Sequence, residues 1–153
     1  MEKEKAEDQI VYAAANGHVE KVKELLDAGI DPNVQDKYGN TPLAIATDYG
    51  RIEIVRILLE AGADPNLQDR SGHTPIIYTG RFGQIEIAEL LIDYGADLNA
   101  CDEEGRTVMN ILKKNYPDEY DLWICNAVGK ARRETLKRED SAQSRGHEPD
   151  FDI

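Results

Sequence analysis

The chain has little of several things. Of its 153 residues only two are cysteines, Cys101 and Cys125. They form no C-x-x-C and no metal-ligand spacing, so the sequence offers no disulfide framework and predicts no metal site. A reduced cytoplasmic setting follows as the expectation, with a nuclear one open if the source is eukaryotic. No uninterrupted run of about 18 apolar residues occurs, so no membrane-spanning helix is expected. The first residues, Met1-Glu2-Lys3-Glu4-Lys5, alternate in charge and lead into no apolar stretch, so they do not read as a secretion signal. Basic residues are scarce too: 18 against 30 acids give a formal charge of −12. That balance argues against duplex nucleic acid or an anionic membrane as partner, since both need a basic footprint.

Catalytic signatures are also missing. No phosphate-cradling glycine loop, no G-x-S-x-G and no H-E-x-x-H is present. The three histidines, His18, His73 and His147, are far apart in sequence, and none neighbours a cysteine. We therefore expect no enzyme, no catalytic residue, no cofactor and no metal.

What the sequence does contain is repetition. Hydrophobic residues make up 41% and charged residues 31%, a globular mix for a chain long enough to bury a core. Asp36–Gln68 laid on Asp69–Cys101, an offset of 33, matches at 13 of 33 positions. Gly39 maps onto Gly72 and Gly105. Thr41-Pro42-Leu43 maps onto Thr74-Pro75-Ile76 and Thr107-Val108-Met109. Gly50-Arg51-Ile52-Glu53-Ile54 maps onto Gly83-Gln84-Ile85-Glu86-Ile87 and back onto Gly17-His18-Val19-Glu20-Lys21. Such a period signals a stack of supersecondary units.

Each part of the unit has a physical reading. Thr41 and Thr74 are placed to cap a helix, with proline at its first position, where the missing N–H costs nothing. The spacing predicts a short helix from Pro42 to about Tyr49, closed by Gly50. A second helix is predicted over Ile52–Glu60, with Ile52, Val55, Leu58 and Leu59 as its apolar stripe. Asp64 to Gly72 then reads as an extended turn segment with Gly72 at the tight corner. One unit cannot bury its stripe alone, so stacking is obligatory.

Asp69-Arg70-Ser71-Gly72-His73-Thr74-Pro75, followed by Gly83-Gln84-Ile85-Glu86-Ile87-Ala88-Glu89-Leu90-Leu91 and Gly95-Ala96-Asp97-Leu98-Asn99, closely resembles the ankyrin repeat over about residues 6 to 125. The resemblance implies an all-α solenoid of about four helix-pair units with projecting hairpin loops. We place the repeat domain at 6–129, with units at about 6–35, 36–68, 69–101 and 102–129, the last as C-terminal cap. Residues 130–153 read as a polar helix extension and a disordered tail. The family's histidine after Thr-Pro-Leu is Ala44 in one unit and Ile77 in the next, and Leu-Ala-Ala reads Ile45-Ala46-Thr47 and Tyr78-Thr79-Gly80. Looser inner-helix packing is expected where Tyr78 stands. The first helix is expected over Glu7–Asn16, and a capping helix from about Asp118 with Leu122, Trp123, Ile124 and Val128 on its buried side.

Ankyrin-like proteins act as binding modules through the hairpin tips and the exposed side of the first helices. Positions that vary between units are then the informative ones: Lys37, Tyr38, Asn40, Asp48 and Tyr49; Arg70, Ser71, His73, Arg81 and Phe82; Glu103, Glu104, Arg106, Lys114 and Asn115. The candidate partner-binding set is Lys37, Tyr38, Asn40, Asp48, Tyr49, Arg70, His73, Arg81, Phe82 and Arg106. Tyr49 and Phe82 share a phase and should lie side by side, with Arg81 and Tyr38 flanking them in a hot-spot composition. His18 is expected to pack or hydrogen-bond, and both cysteines to be free thiols. Asn33, Asn66 and Asn99 stand where related asparagines can be hydroxylated, although turn stabilisation explains them without any enzyme. Phe151-Asp152-Ile153 alternates weakly like a strand-addition peptide. The expected partner is a protein of unknown identity bound by a monomer. The alternative function is a stoichiometric inhibitor or immunity protein, while the full length of Thr41–Gly50 argues against the kinase-inhibitor type. Residues 130–153 carry six bases and six acids, so the whole −12 lies in 1–129, largely at recurring scaffold positions.

Overall fold

A computed structural model describes residues 2–126. The tail from 127, with Val128 and His147, lies outside the described residues. Eight helices follow one another among those described: α1 (Glu2–Asn16), α2 (Val19–Asp27), α3 (Pro42–Asp48), α4 (Ile52–Glu60), α5 (Pro75–Phe82), α6 (Ile85–Asp93), α7 (Val108–Asn115) and α8 (117–126). The solenoid is all-α, in two layers. The first helices α1, α3, α5 and α7 pack in succession, and α2, α4 and α6 pack in succession behind them.

The layers are held by a continuous core that runs from Ile10 and Val22 through Leu43, Ile54, Leu58, Ile76 and Leu91 to Val108, Leu112 and Trp123. In α4 the buried residues are Ile54, Val55, Leu58 and Leu59, whereas Ile52 is half-buried. Ile54 is the residue that the expected stripe omitted. It faces neighbouring helices, so its helix carries apolar contact on more than one side.

Between units, asparagine side chains tie one loop to the next. Asn33 accepts from the Asp64 N–H at 2.7 Å and donates to the Gly62 carbonyl at 3.4 Å. Asn66 does the same with Asp97 at 2.8 Å and Gly95 at 3.0 Å. Each is also held in its own turn, its N–H bonded to Asp31 and Asp64 respectively. Satisfying loop backbone across a unit boundary is a stacking role, and it accounts for these two residues.

Three expectations about the ends and the middle are corrected. The first helix begins at Glu2 rather than Glu7, because Glu, Lys and Ala are good helix formers and let it extend. In α8, Trp123 is buried but Leu122 is 64% exposed, so the indole fills the capping position and turns its neighbour outward. The unit holding Tyr78 is not loose. Gly80 sits against α7, where an added Cβ would lie 3.2 Å from Ile111 Cβ and Cγ2 and 3.3 Å from Val108 Cγ2. The missing side chain draws the two helices together.

Candidate partner-binding site

The projecting loops are built on one residue each. Asp36, Asp69 and Asp102 begin tips that are closed by bonds from their own N–H groups to the carbonyls of Asn40, His73 and Arg106, at 3.0, 3.0 and 2.9 Å. Oδ1 of each carboxylate accepts two backbone N–H groups: Tyr38 and Asn40, Ser71 and His73, Glu104 and Arg106, all at 2.9–3.0 Å. The corner residue has positive φ in every tip (+80° at Gly39, +79° at Gly72, +75° at Gly105), which only glycine adopts without strain.

The second oxygen is where the tips differ. In the first tip Asp36 Oδ2 accepts from the Asn40 carboxamide at 3.4 Å. In the third, Asp102 Oδ2 receives the Arg106 Nε and Nη2, both at 2.9 Å, and Arg106 Nη1 also reaches Glu104 at 3.3 Å. Desolvation would raise the Asp102 carboxyl, but the Arg106 N–H, its guanidinium and the Glu104 N–H outweigh it and hold it below the ordinary value. In the middle tip Asp69 Oδ2 accepts the hydroxyl of Tyr78, which reaches down from α5. Burial first, and then the Asp69 hydrogen bond and charge, push the Tyr78 phenol above its usual range.

Tyr78 is thereby the centre of a cluster. The His73 ring meets it edge-on with centroids 5.7 Å apart, and the Arg81 guanidinium lies over its ring at 5.5 Å. Asp48, one unit earlier, feels this group. Partial burial pushes its carboxyl up, Arg81 pulls it back, and Asp69 adds to the rise. Nothing in the periodicity singled Tyr78 out. The signal was a phenol at the phase where neighbouring units carry Ile45 and Ile111, nine residues after a tip aspartate.

The remaining candidates fall as follows. Tyr38, Tyr49 and Phe82 are 61%, 58% and 56% exposed, and Lys37, Arg70 and Arg81 are exposed too. Lys37 lies over the Tyr38 ring at 5.1 Å. Asn40 and Arg106 are partly buried and occupied within their own tips. His73 is only 6% exposed, because its ring is covered at the base of the tip, so it contributes to the scaffold rather than to the open surface. Tyr49 and Phe82 occupy equivalent ends of α3 and α5, but among the described residues their rings make no contact with each other. Stacking gives them the same phase without bringing their rings into contact. His18 precedes α2 without a side-chain cap bond, and its ring meets Tyr12 edge-on at 6.2 Å. Cys101 and Cys125 are exposed free thiols.

A family model for ankyrin repeats in three copies matches residues 3–69 and 61–118. The chain belongs to the ankyrin-repeat family. Comparison with curated proteins gives no match. Ankyrin repeats are generally protein–protein interaction modules and typically non-catalytic. Among the described residues of this ankyrin domain, no group of three or more His, Cys, Asp or Glu side chains could hold a metal ion, and no helix is long and apolar enough to cross a membrane.

Proposed function

We propose that the protein is a non-catalytic interaction module whose concave surface, formed by the tips and the exposed ends of the first helices, binds a partner protein. One observation carries this reading. Two large aromatic side chains, Tyr49 and Phe82, stand more than half exposed at the same phase of successive units, with Arg81 next to Phe82 in sequence and Tyr38 exposed in the first tip. Exposed aromatics grouped with arginine are the usual composition of an interface anchor. The surplus of acids supports a protein partner over nucleic acid or a membrane surface, and the monomer is the binding species. Residues 6–129 make up the binding domain in this reading, without a cofactor, acting in the cytoplasm.

The experiment is affinity isolation of partners from the source cells with the full chain and with a Tyr49→Ala, Phe82→Ala variant, followed by mass spectrometry. Both side chains are exposed, so the variant's thermal midpoint should stay within about 1–2 °C. Each truncation should weaken the complex by about 2 kcal/mol. Partners retained at full strength by the variant would overturn the proposal. A single tight partner that is itself an enzyme or toxin would assign the inhibitor role, and several scaffolding partners the adaptor role.

A further inference from the structure

Along the ridge formed by the ends of α3, α5 and α7, one phase reads Asp48, Arg81 and Lys114, a residue of each unit 33 positions after the last. Like Lys37 and Arg70 at the tips, these two cations make no salt bridge among the described residues, and they also share one phase of the ridge. Arg106 is paired with both Asp102 and Glu104, and on the outer helix α2 Lys21 and Lys23 pair with Glu24 and Glu20. Among the described residues, no carboxylate comes within 4.0 Å of the head of Arg81 or Lys114, and both side chains belong to exposed residues. Arg81 is nevertheless held. Its guanidinium lies over the Tyr78 ring, Tyr78 is anchored on Asp69, and the Arg81 carbonyl accepts from the Tyr116 hydroxyl at 3.1 Å. A cation that is fixed in place, with Asp48 acting on it only from beyond 4.0 Å, is prepared for a direct carboxylate contact from outside, since little rotamer freedom is left to lose on binding.

Resting on the reading that this face binds a protein, we propose that its ligand is an extended acidic segment with two carboxylates three residues apart, one on Arg81 and one on Lys114. The period of the solenoid sets that spacing. Packed helices lie about 8–10 Å apart, so equivalent residues of successive first helices repeat at about that distance. A polyproline-II segment rises about 3.1 Å per residue with three residues per turn, which puts side chains i and i+3 on one face about 9 Å apart. A β-strand would offer about 7 or 13 Å on one face and fits less well. Asp48 sets the frame. One unit before Arg81 it repels a third acid, so the segment is acidic toward the fourth unit and neutral or basic toward the second. Apolar side chains beside the acids rest on Phe82 and Tyr49.

The test uses the full chain and a displayed library of random twelve-residue peptides. Enriched peptides should carry Asp or Glu at i and i+3 with an apolar neighbour. Synthetic copies, read by fluorescence anisotropy, should lose about tenfold in affinity to each of Arg81→Gln and Lys114→Gln, in variants that stay folded by circular dichroism. Enriched peptides without the acid pair, still weakened by Tyr49→Ala and Phe82→Ala, would overturn the acid-pair ligand and leave the binding face standing. So would acid-pair peptides indifferent to Arg81→Gln. No enrichment, or binding that survives the aromatic truncations as well, would overturn the binding face itself.

Discussion

The inner helices α3 and α5 occupy the same place in successive units and are held there by different means. Thr41 caps α3, accepting from the Ala44 N–H at 3.1 Å. Thr74, its equivalent, makes no such bond, and its hydroxyl is buried without a partner. At the next matched pair, Thr47 fills the layer and donates to the Leu43 carbonyl at 2.8 Å, whereas Gly80 leaves space that α7 moves into. Ile45 is replaced by Tyr78, which ties α5 to its tip through Asp69. So α3 is fixed by its own end and α5 by the structure around it. A repeat conserves the place of an element more strictly than the contacts that keep it there.

That contrast can be tested in order of expected effect. Leu43 and Ile76 are matched positions, each 1% exposed. Truncation to alanine should cost about 3 kcal/mol at either site in urea unfolding, and unequal costs would show that the shared core is not shared energetically. Gly80→Val should cost about 2 kcal/mol, since Ile111 must be displaced. Thr47→Val keeps its shape and should cost less than about 1 kcal/mol, so equal losses would erase the difference in layer spacing.

The caps give a smaller and sharper comparison. Thr41→Val should lose about 1 kcal/mol. Thr74→Val should be neutral or stabilising, because it removes a buried hydroxyl that has no partner. Two equal losses in the urea midpoint would mean that both threonines cap. The smallest effect is at Asp48. Its folded pKa lies above the ordinary 3.8, so the folded chain binds more protons and this group lowers stability as pH rises above that value. Asp48→Asn should therefore gain on the wild type between about pH 4 and 7 in thermal melts, and converge with it below that range. A variant that loses stability toward pH 7 would show that attraction to Arg81 outweighs the burial.

Much of the fold was legible because a 33-residue period and its glycine, Thr-Pro and leucine positions constrain backbone shape locally. The helix bounds at α4 came out as the periodicity placed them, Ile52–Glu60. The candidate surface was legible only in part. Tyr38, Tyr49, Arg70, Arg81 and Phe82 are exposed where variable positions were expected to be, but His73 is not, since whether a tip residue is covered depends on the ring that packs over it.

The sequence alone therefore determined the unit, its phase and the need to stack, because an apolar stripe and a capped helix are set within a few residues. It also determined that the acidity belongs to the scaffold. Tertiary structure decided the rest: which oxygen of each tip aspartate meets Asn40, Tyr78 or Arg106, how closely Gly80 lets α7 approach, and which cations stay without a carboxylate. Those outcomes depend on side chains from different units meeting in space, and no local pattern encodes such a meeting.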